Sequence, residues 1–407
     1  MWAYQWAIIL WEYIIRLAAP WHSGAKGRRQ MIQDPWPAVP SNQTCIWFHC
    51  ASLGEYEQIL PLIEIWELRH PSHRILISFY SNSGYKMVKP NSGNRFVVGF
   101  PGDIRKPILQ FLSHFNPAMA IFTKAEIWPL CLDVLNEKGI PSTLLAFRAG
   151  RSKRLKHWTA RFLIQRMQHL ALISCQDQAS ADFLRQLGLT KVSVEGDPRV
   201  ARTLALQNHP LNWPEHIALE SGKQLIVLGS IWPADLRIWS EIILERSDLL
   251  WAIAPHQLQS QFMESLQGLF PQAQRWTQPG PHTKSNIILI DTIGVLSRLY
   301  SKAQAAYVGG GFGRGIHSSL EPAAAGIPIS FGPNCTHSRE AQAFLRMQAG
   351  SILNSKQEAQ RWLQHVLQAD AQQHIKQQLS GWFQQEAEAP EKLMQQLESI
   401  FPSHTVS

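Results

Sequence analysis

Short apolar runs recur along the chain, and the stretches between them carry apolar residues at helical spacing. In the first half the runs fall at 45–50, 74–79, 118–123, 142–147, 170–175 and 191–195. In the second half they fall at 224–228, 249–254, 286–290, 305–308, 328–331 and 351–353. Runs that are apolar without strict alternation predict strands buried on both faces, as in parallel sheets. Their alternation with helices predicts right-handed βαβ units. The polar segment 204–222, with His209-Pro210 and Trp213-Pro214, reads as a linker between two similar α/β domains. The predicted organisation is a helix and basic segment over 1–30, an α/β domain over 31–203, and the linker 204–222. A second α/β domain over 223–385 and a helical tail over 386–407 complete it. Two such domains should face a cleft, with ligands beyond the carboxyl ends of the strands.

The first nineteen residues, MWAYQWAIILWEYIIRLAA, are apolar except for a narrow helical stripe of Gln5, Glu12 and Arg16. Pro20 ends the run, and Lys26, Arg28 and Arg29 follow. A cleaved signal peptide would place positive charge before the apolar run, and a true span would lack the stripe. The pattern predicts a helix lying in or dipping into a membrane, with the basic residues meeting anionic headgroups. A helix packed on the protein's own core, or a single-span anchor, is the alternative.

A chain of 407 residues suits two or three domains. With 45% hydrophobic and 17% charged residues, disorder and coiled coil are excluded for the bulk of it. The net charge of +8 suits anionic lipid, phosphorylated ligands or nucleic acid, but no RNP or KH signature accompanies it, so no nucleic-acid partner is expected. The five cysteines are scattered and form no C-x-x-C pair. A disulfide framework or zinc site is therefore not expected, and a reducing compartment is the simplest home.

Three motifs carry candidate chemistry. After the first apolar run comes His49-Cys50-Ala51-Ser52-Leu53-Gly54-Glu55. Gly54 should permit a tight strand-to-helix turn. Glu55, in the first helical turn, can act as a general base or simply cap the helix. After a second run comes Lys124-Ala125-Glu126-Ile127-Trp128-Pro129, where Lys124 and Glu126 can meet a ligand or pair with each other, ahead of a helix opened near Pro129. After a third comes Gly309-Gly310-Gly311-Phe312-Gly313-Arg314-Gly315-Ile316-His317-Ser318-Ser319-Leu320-Glu321. Five glycines beside Arg314 and His317, leading into a helix expected near 317–319, suit a nucleotide phosphate. Glu321, expected one turn further on, suits ribose hydroxyls. The run fits neither a P-loop nor a dinucleotide fingerprint. Gly229-Ser230-Ile231-Trp232, Pro255-His256 and Gly332-Pro333-Asn334 also follow strand candidates and can line the same crevice.

In this order the motifs resemble the 3-deoxy-D-manno-octulosonate (Kdo) transferases of lipopolysaccharide synthesis, over nearly the whole chain. The resemblance rests on these motifs together with Gly27-Arg28, Ser81-Asn82-Ser83-Gly84-Tyr85 and Gly196-Asp197-Pro198-Arg199. It implies a GT-B fold of two Rossmann-like α/β domains facing a cleft, with an N-terminal membrane-associated helix. It also implies an inverting, metal-independent transfer of Kdo from CMP-Kdo to a lipid A precursor (lipid IVA), at the cytoplasmic face of the inner membrane among its anionic lipids. Glu55 would be the base. Ser52, Lys124 and Glu126 would attend the acceptor and the transition state. Ser230, Pro255, His256, Gly309, Gly310, Gly311, Gly313, Arg314, Gly315, His317, Ser318 and Glu321 would bind the donor. No cofactor or metal is implied, since CMP-Kdo is a substrate and no D-x-D pair stands in the sequence.

Overall fold

A computed structural model of the chain describes residues 2–38, 43–88, 94–151, 160–207, 211–217, 222–258, 260–278 and 285–402. It divides into two compact units, Met1–Ala201 with Glu386–Ser407, and Arg202–Gln385.

In the first unit seven parallel strands form one sheet: β1 (Cys45–Cys50), β2 (Arg74–Phe79), β3 (Arg95–Gly99), β4 (Pro117–Thr123), β5 (Ser142–Phe147), β6 (Leu172–Cys175) and β7 (Val192–Val194). Their order is β3-β2-β1-β4-β5-β6-β7. Strand order therefore reverses between β1 and β4, and the carboxyl ends of those two strands border the crevice that such a reversal opens. Every residue of β1 is buried. Trp47 packs with Phe100, Phe111 and Phe122 on one face, and Ile46 and Phe48 pack with Ile59, Ile63 and Trp66 on the other. The helix Ala389–Ile400 adds Leu393, Met394 and Leu397 to that second face.

The second unit repeats the plan with β8 (Leu225–Ile231), β9 (Leu250–Pro255), β10 (Gln274–Arg275), β11 (Ile287–Leu289), β12 (Ala305–Val308), β13 (Ile329–Phe331) and β14 (Gly350–Ile352). The order is β10-β11-β9-β8-β12-β13-β14, and here the reversal falls between β8 and β12. β3 and β10 were absent from the expected runs. The polar segment expected to link the domains begins inside a helix, Arg199–Leu206. His209-Pro210 lies outside the described residues.

The N-terminal helix Trp2–Ala18 turns Glu12 inward. Glu12 is buried and meets Arg28 at 2.5 Å. The Arg28 guanidinium also donates to the Tyr80 carbonyl at 3.0 Å and lies 3.7 Å from the centre of the Tyr80 ring. The Tyr4 hydroxyl donates to Asp103 at 2.7 Å. Arg28 is thus a core residue rather than a headgroup contact, because its charge is spent on a buried carboxylate; Lys26 and Arg29 remain exposed. The opposite side of the helix leaves Trp6, Leu10, Tyr13, Ile14 and Leu17 exposed, and Trp21 just beyond it is 86% exposed. No described helix is long and apolar enough to cross a membrane.

Candidate active site

In the first unit the candidate residues gather at the β1/β4 switch point. Ser52 caps the helix Leu53–Arg69, and the Glu55 carboxylate accepts the Ser52 backbone N–H at 3.1 Å, closing a capping box. Burial raises the Glu55 carboxyl above its ordinary value, while Lys124 and the backbone N–H groups of Ala51 and Ser52 pull the other way. The cap therefore fixes the carboxylate's position, and burial makes it a stronger base. Gly54 does not make the turn. Its φ is not positive, and a Cβ there would meet nothing within 4 Å. What its missing side chain does is leave the first helical turn bare beside Glu55.

Lys124 and Glu126 lie on the loop after β4. Lys124 adopts a left-handed backbone, φ +59°, a strained conformation for a residue with a side chain. The loop closes by Glu126 N–H to the Thr123 carbonyl at 3.2 Å, and Pro129 opens the helix Pro129–Glu137. The buried Cys50 thiol reports how the charges converge. Burial pushes it well above its ordinary value, Glu55 and Glu126 push it further, and Lys124 opposes them. His49 Nε2 lies 4.0 Å from the Glu126 carboxylate, and His49 is fully buried. Burial, then Arg28, lowers its pKa to about 3, so the imidazole is neutral and the contact is not an ion pair.

Asp103 is a residue that the motifs did not reveal. Fully buried, it accepts the Leu130 and Cys131 N–H groups at 3.1 and 2.8 Å and so caps the helix behind the Glu126 loop. Its other partner is Tyr4 of the N-terminal helix.

In the second unit a pocket of about 900 Å³ opens at the β8/β12 switch point, lined among others by Trp232, Arg237, His256, Phe312, Arg314 and His317. Gly310, Gly313 and Gly315 complete its glycine-rich wall. Gly309 and Gly311 stand behind that wall. A Cβ on Gly309 would fall 2.3 Å from the Ser230 carbonyl oxygen, and one on Gly311 would fall 2.5 Å from Gly332, so the end of β8 and the loops after β12 and β13 meet backbone to backbone. Ser230 has φ +53° and, like Pro255, Ser318 and Glu321, is not among the lining residues. The helix after the glycines begins at Leu320 rather than near 317–319 and has only five residues. Glu321 sits in its first turn. So short a helix adds little dipole, and Gly309, Gly310, Gly313 and Gly315 donate their own N–H groups to Gly229, Asp235 and Gly310, so an anion is left the remaining N–H groups of the loop.

Three rings form one wall of the pocket. His256 and His317 stack at 4.0 Å, and Trp232 stacks on His256 at 4.7 Å. The Trp232 indole N–H donates to His317 Nε2 at 3.0 Å, which places the His317 hydrogen on Nδ1. Burial, then His256, lowers the His317 pKa to about 4. Asp235, also missed in the sequence, ties the pocket together. It accepts the Trp232 N–H at 2.8 Å, the Gly310 N–H at 3.1 Å and the Tyr307 hydroxyl at 2.6 Å. The Trp232-Pro233-Ala234-Asp235 spacing, a turn with an acid at its fourth position, was the available signal.

Two doubly wound parallel sheets on one chain, each with polar loops at its switch point, define the GT-B class of glycosyltransferases and related nucleotide-sugar enzymes. The UDP-GlcNAc 2-epimerase of Neisseria meningitidis superposes with a TM-score of 0.58 at 13% identity, covering 88% of this chain and 100% of that one. A calicheamicin glycosyltransferase superposes with a TM-score of 0.57 at 11% identity, covering 88% and 98%. Those likenesses concern the fold alone. A family profile described as 3-deoxy-D-manno-octulosonic-acid transferase (kdotransferase) matches residues 25–202. The 3-deoxy-D-manno-octulosonic acid transferase of Chlamydophila psittaci is 30% identical over 348 residues, 78% of this chain and 76% of the relative. That of Haemophilus influenzae is 25% identical over 312 residues, 70% of each. The chain belongs to the Kdo transferase family and is a glycosyltransferase.

Proposed function

We propose that the protein transfers Kdo from CMP-Kdo to a lipid A precursor, lipid IVA, with inversion at the anomeric carbon. The acceptor hydroxyl oxygen forms the new bond to that carbon as the bond to the CMP phosphate breaks, and the hydroxyl proton passes to Glu55. The observation that carries this reading is the Glu55 carboxyl at the β1 switch point, held by the Ser52 N–H and made more basic by burial. Lys124 and Glu126 attend the acceptor and the charge that develops on it. On the donor side, Arg237, Arg314, the His256–His317 stack and the N–H groups of the glycine loop that are not donated within the unit suit a cytidine monophosphate. One phosphate can be stabilised there by N–H groups and cations without a metal. Glu321 is assigned to the ribose, a contact that requires the helix Leu320–Ala324 to approach the pocket, and Glu321→Ala should raise the donor KM.

The exposed apolar side of the helix Trp2–Ala18, with Arg29 and Lys26 beside it, supports docking flat on an anionic leaflet, the cytoplasmic face of the inner membrane in this reading. The test is to incubate the purified protein with CMP-Kdo and tetraacyl lipid A precursor, with and without excess EDTA, and weigh the product lipid. A mass gain of one or more Kdo residues in both arms is expected. No product, or product only with added Mg²⁺, would overturn the substrate or the metal-free reading respectively.

A further inference from the structure

His49 is an unusual occupant of a core. It is fully buried, packed among Trp47, Phe100, Phe122 and Trp128, in a place where a phenylalanine would bury more cheaply. Its Nδ1 lies 2.8 Å from Ser78 Oγ, directly across the β1–β2 pairing. The same oxygen takes the Trp47 indole N–H at 2.7 Å. An indole nitrogen only donates, so Ser78 Oγ is the acceptor in that bond and its own hydrogen is available to His49 Nδ1. The hydroxyl's second lone pair can equally take an Nδ1–H, so the choice of tautomer falls to the surroundings of Nε2, which favour the hydrogen there. The opposite tautomer would set a bare Nε2 lone pair against the Glu126 carboxylate. Nε2 has no hydrogen-bond partner among the described residues, and it lies 4.0 Å from that carboxylate.

We propose that His49 is a positioning residue for Glu126: its buried Nε2–H, oriented through Ser78 and Trp47, holds the Glu126 carboxylate as the acceptor enters. The inference rests on the role given to Glu126 above. A movement of about 1 Å converts the contact into a hydrogen bond of ordinary length. A neutral donor suits the task, because it orients the carboxylate without neutralising it. Burial and the nearby Arg28 charge keep the ring neutral at working pH.

The experiment uses full-length protein with CMP-Kdo and tetraacyl lipid A precursor, and compares His49→Phe, His49→Gln, Ser78→Ala and Glu126→Gln. His49→Phe keeps the aromatic packing and removes the donor. It should lower kcat about 10–100-fold, the scale of a lost hydrogen bond to a charged group, with both KM values within about 2-fold of wild type. His49→Gln, whose amide N–H₂ stands near the Nε2 position, should recover most of that loss although it packs less well. Ser78→Ala frees the tautomer and should fall between the two. Wild-type kcat in His49→Phe would overturn the proposal. So would equal losses in the Phe and Gln variants that follow their melting temperatures, which would make His49 structural. Full activity in Glu126→Gln would instead remove the role of Glu126, and the proposal with it. A damaged Glu126→Gln beside an intact His49→Phe removes the His49 inference alone.

Discussion

Asp235 accepts the backbone N–H of Gly310 at 3.1 Å, and through that bond the loop after β8 holds the loop after β12. Trp232 N–H and the Tyr307 hydroxyl converge on the same fully buried carboxylate. Asp235→Ala would leave the buried Gly310 N–H and Tyr307 hydroxyl without this acceptor, while the part-buried Trp232 N–H can turn to water. Orphaned buried polar groups cost about 1–3 kcal/mol each. Unfolding monitored in urea should show a loss of about 2–4 kcal/mol, and titration calorimetry should show weakened CMP binding. Unchanged CMP affinity would mean that the pocket is held by its other contacts.

Glu55→Gln keeps a carbonyl oxygen to accept the Ser52 N–H but cannot take a proton. Turnover should fall about 10²–10⁴-fold, with CMP affinity near wild type. A base must be ionised to act, and the proposed base Glu55 has its pKa raised above the ordinary carboxylate value. The rate should therefore fall on the acid side as pH drops through that raised value, so the acid limb stands above pH 4.5. A limb at or below 4.5 would argue against Glu55 as the base.

Acid stability offers a separate reading of His49. Its pKa is about 3 in the folded chain against 6.5 for the free side chain. The sign follows directly: the unfolded chain binds a proton below about 6.5 that the folded chain refuses until about 3. His49 thus adds no penalty above pH 6.5, and it costs stability increasingly as pH falls from there toward 3. His49→Phe should remove about one proton, about 1.4 kcal/mol per pH unit, from the slope of unfolding free energy over that window. Denaturant titrations at several pH values measure it, and an unchanged slope would show that the imidazole titrates normally.

The two sides of the N-terminal helix should separate experimentally. Replacing Trp6, Leu10, Leu17 and Trp21 together by Ser removes exposed apolar surface, with large side chains worth roughly 1.5–3 kcal/mol each when buried. Co-sedimentation with anionic vesicles should be lost while the melting temperature is kept. Glu12→Gln should do the opposite, because it leaves the buried Arg28 charge uncompensated, a loss of about 3–5 kcal/mol. Deleting residues 1–21 should combine both defects. Vesicle binding that survives the four Ser substitutions would place the docking surface elsewhere.

The strands of the sheet interiors were legible because burial on both faces writes an unbroken apolar run, as in Cys45–Cys50 and Ala305–Val308. β3 was missed because it is a short edge strand that ends at Gly99, with Pro90 before it and Pro101 after it, where turn signals mask Phe96, Val97 and Val98. β10 is two polar residues long and is aligned by β11 alone, so no hydrophobic signal marks it. The motif residues were legible because glycine, histidine and acid at a strand end form a dense local pattern. Asp103 and Asp235 were not, since a buried acid looks like any surface acid until its partners are known. Tyr4 stands 99 positions from Asp103, and Gly310 stands 75 from Asp235.

The return of residues 386–400 to the first unit sets an order of events during synthesis. Leu393, Met394 and Leu397 complete the core around Ile59, Ile63 and Trp66, and Glu398 reaches Arg69 at 3.1 Å. All of Arg202–Gln385 is translated before those side chains exist. The second unit, uninterrupted in sequence, can close as it emerges, whereas the first, begun earlier, leaves the helix Leu53–Arg69 without its covering helix until residue 397 has left the ribosome. The unit that carries Glu55 is begun before the other and completed after it.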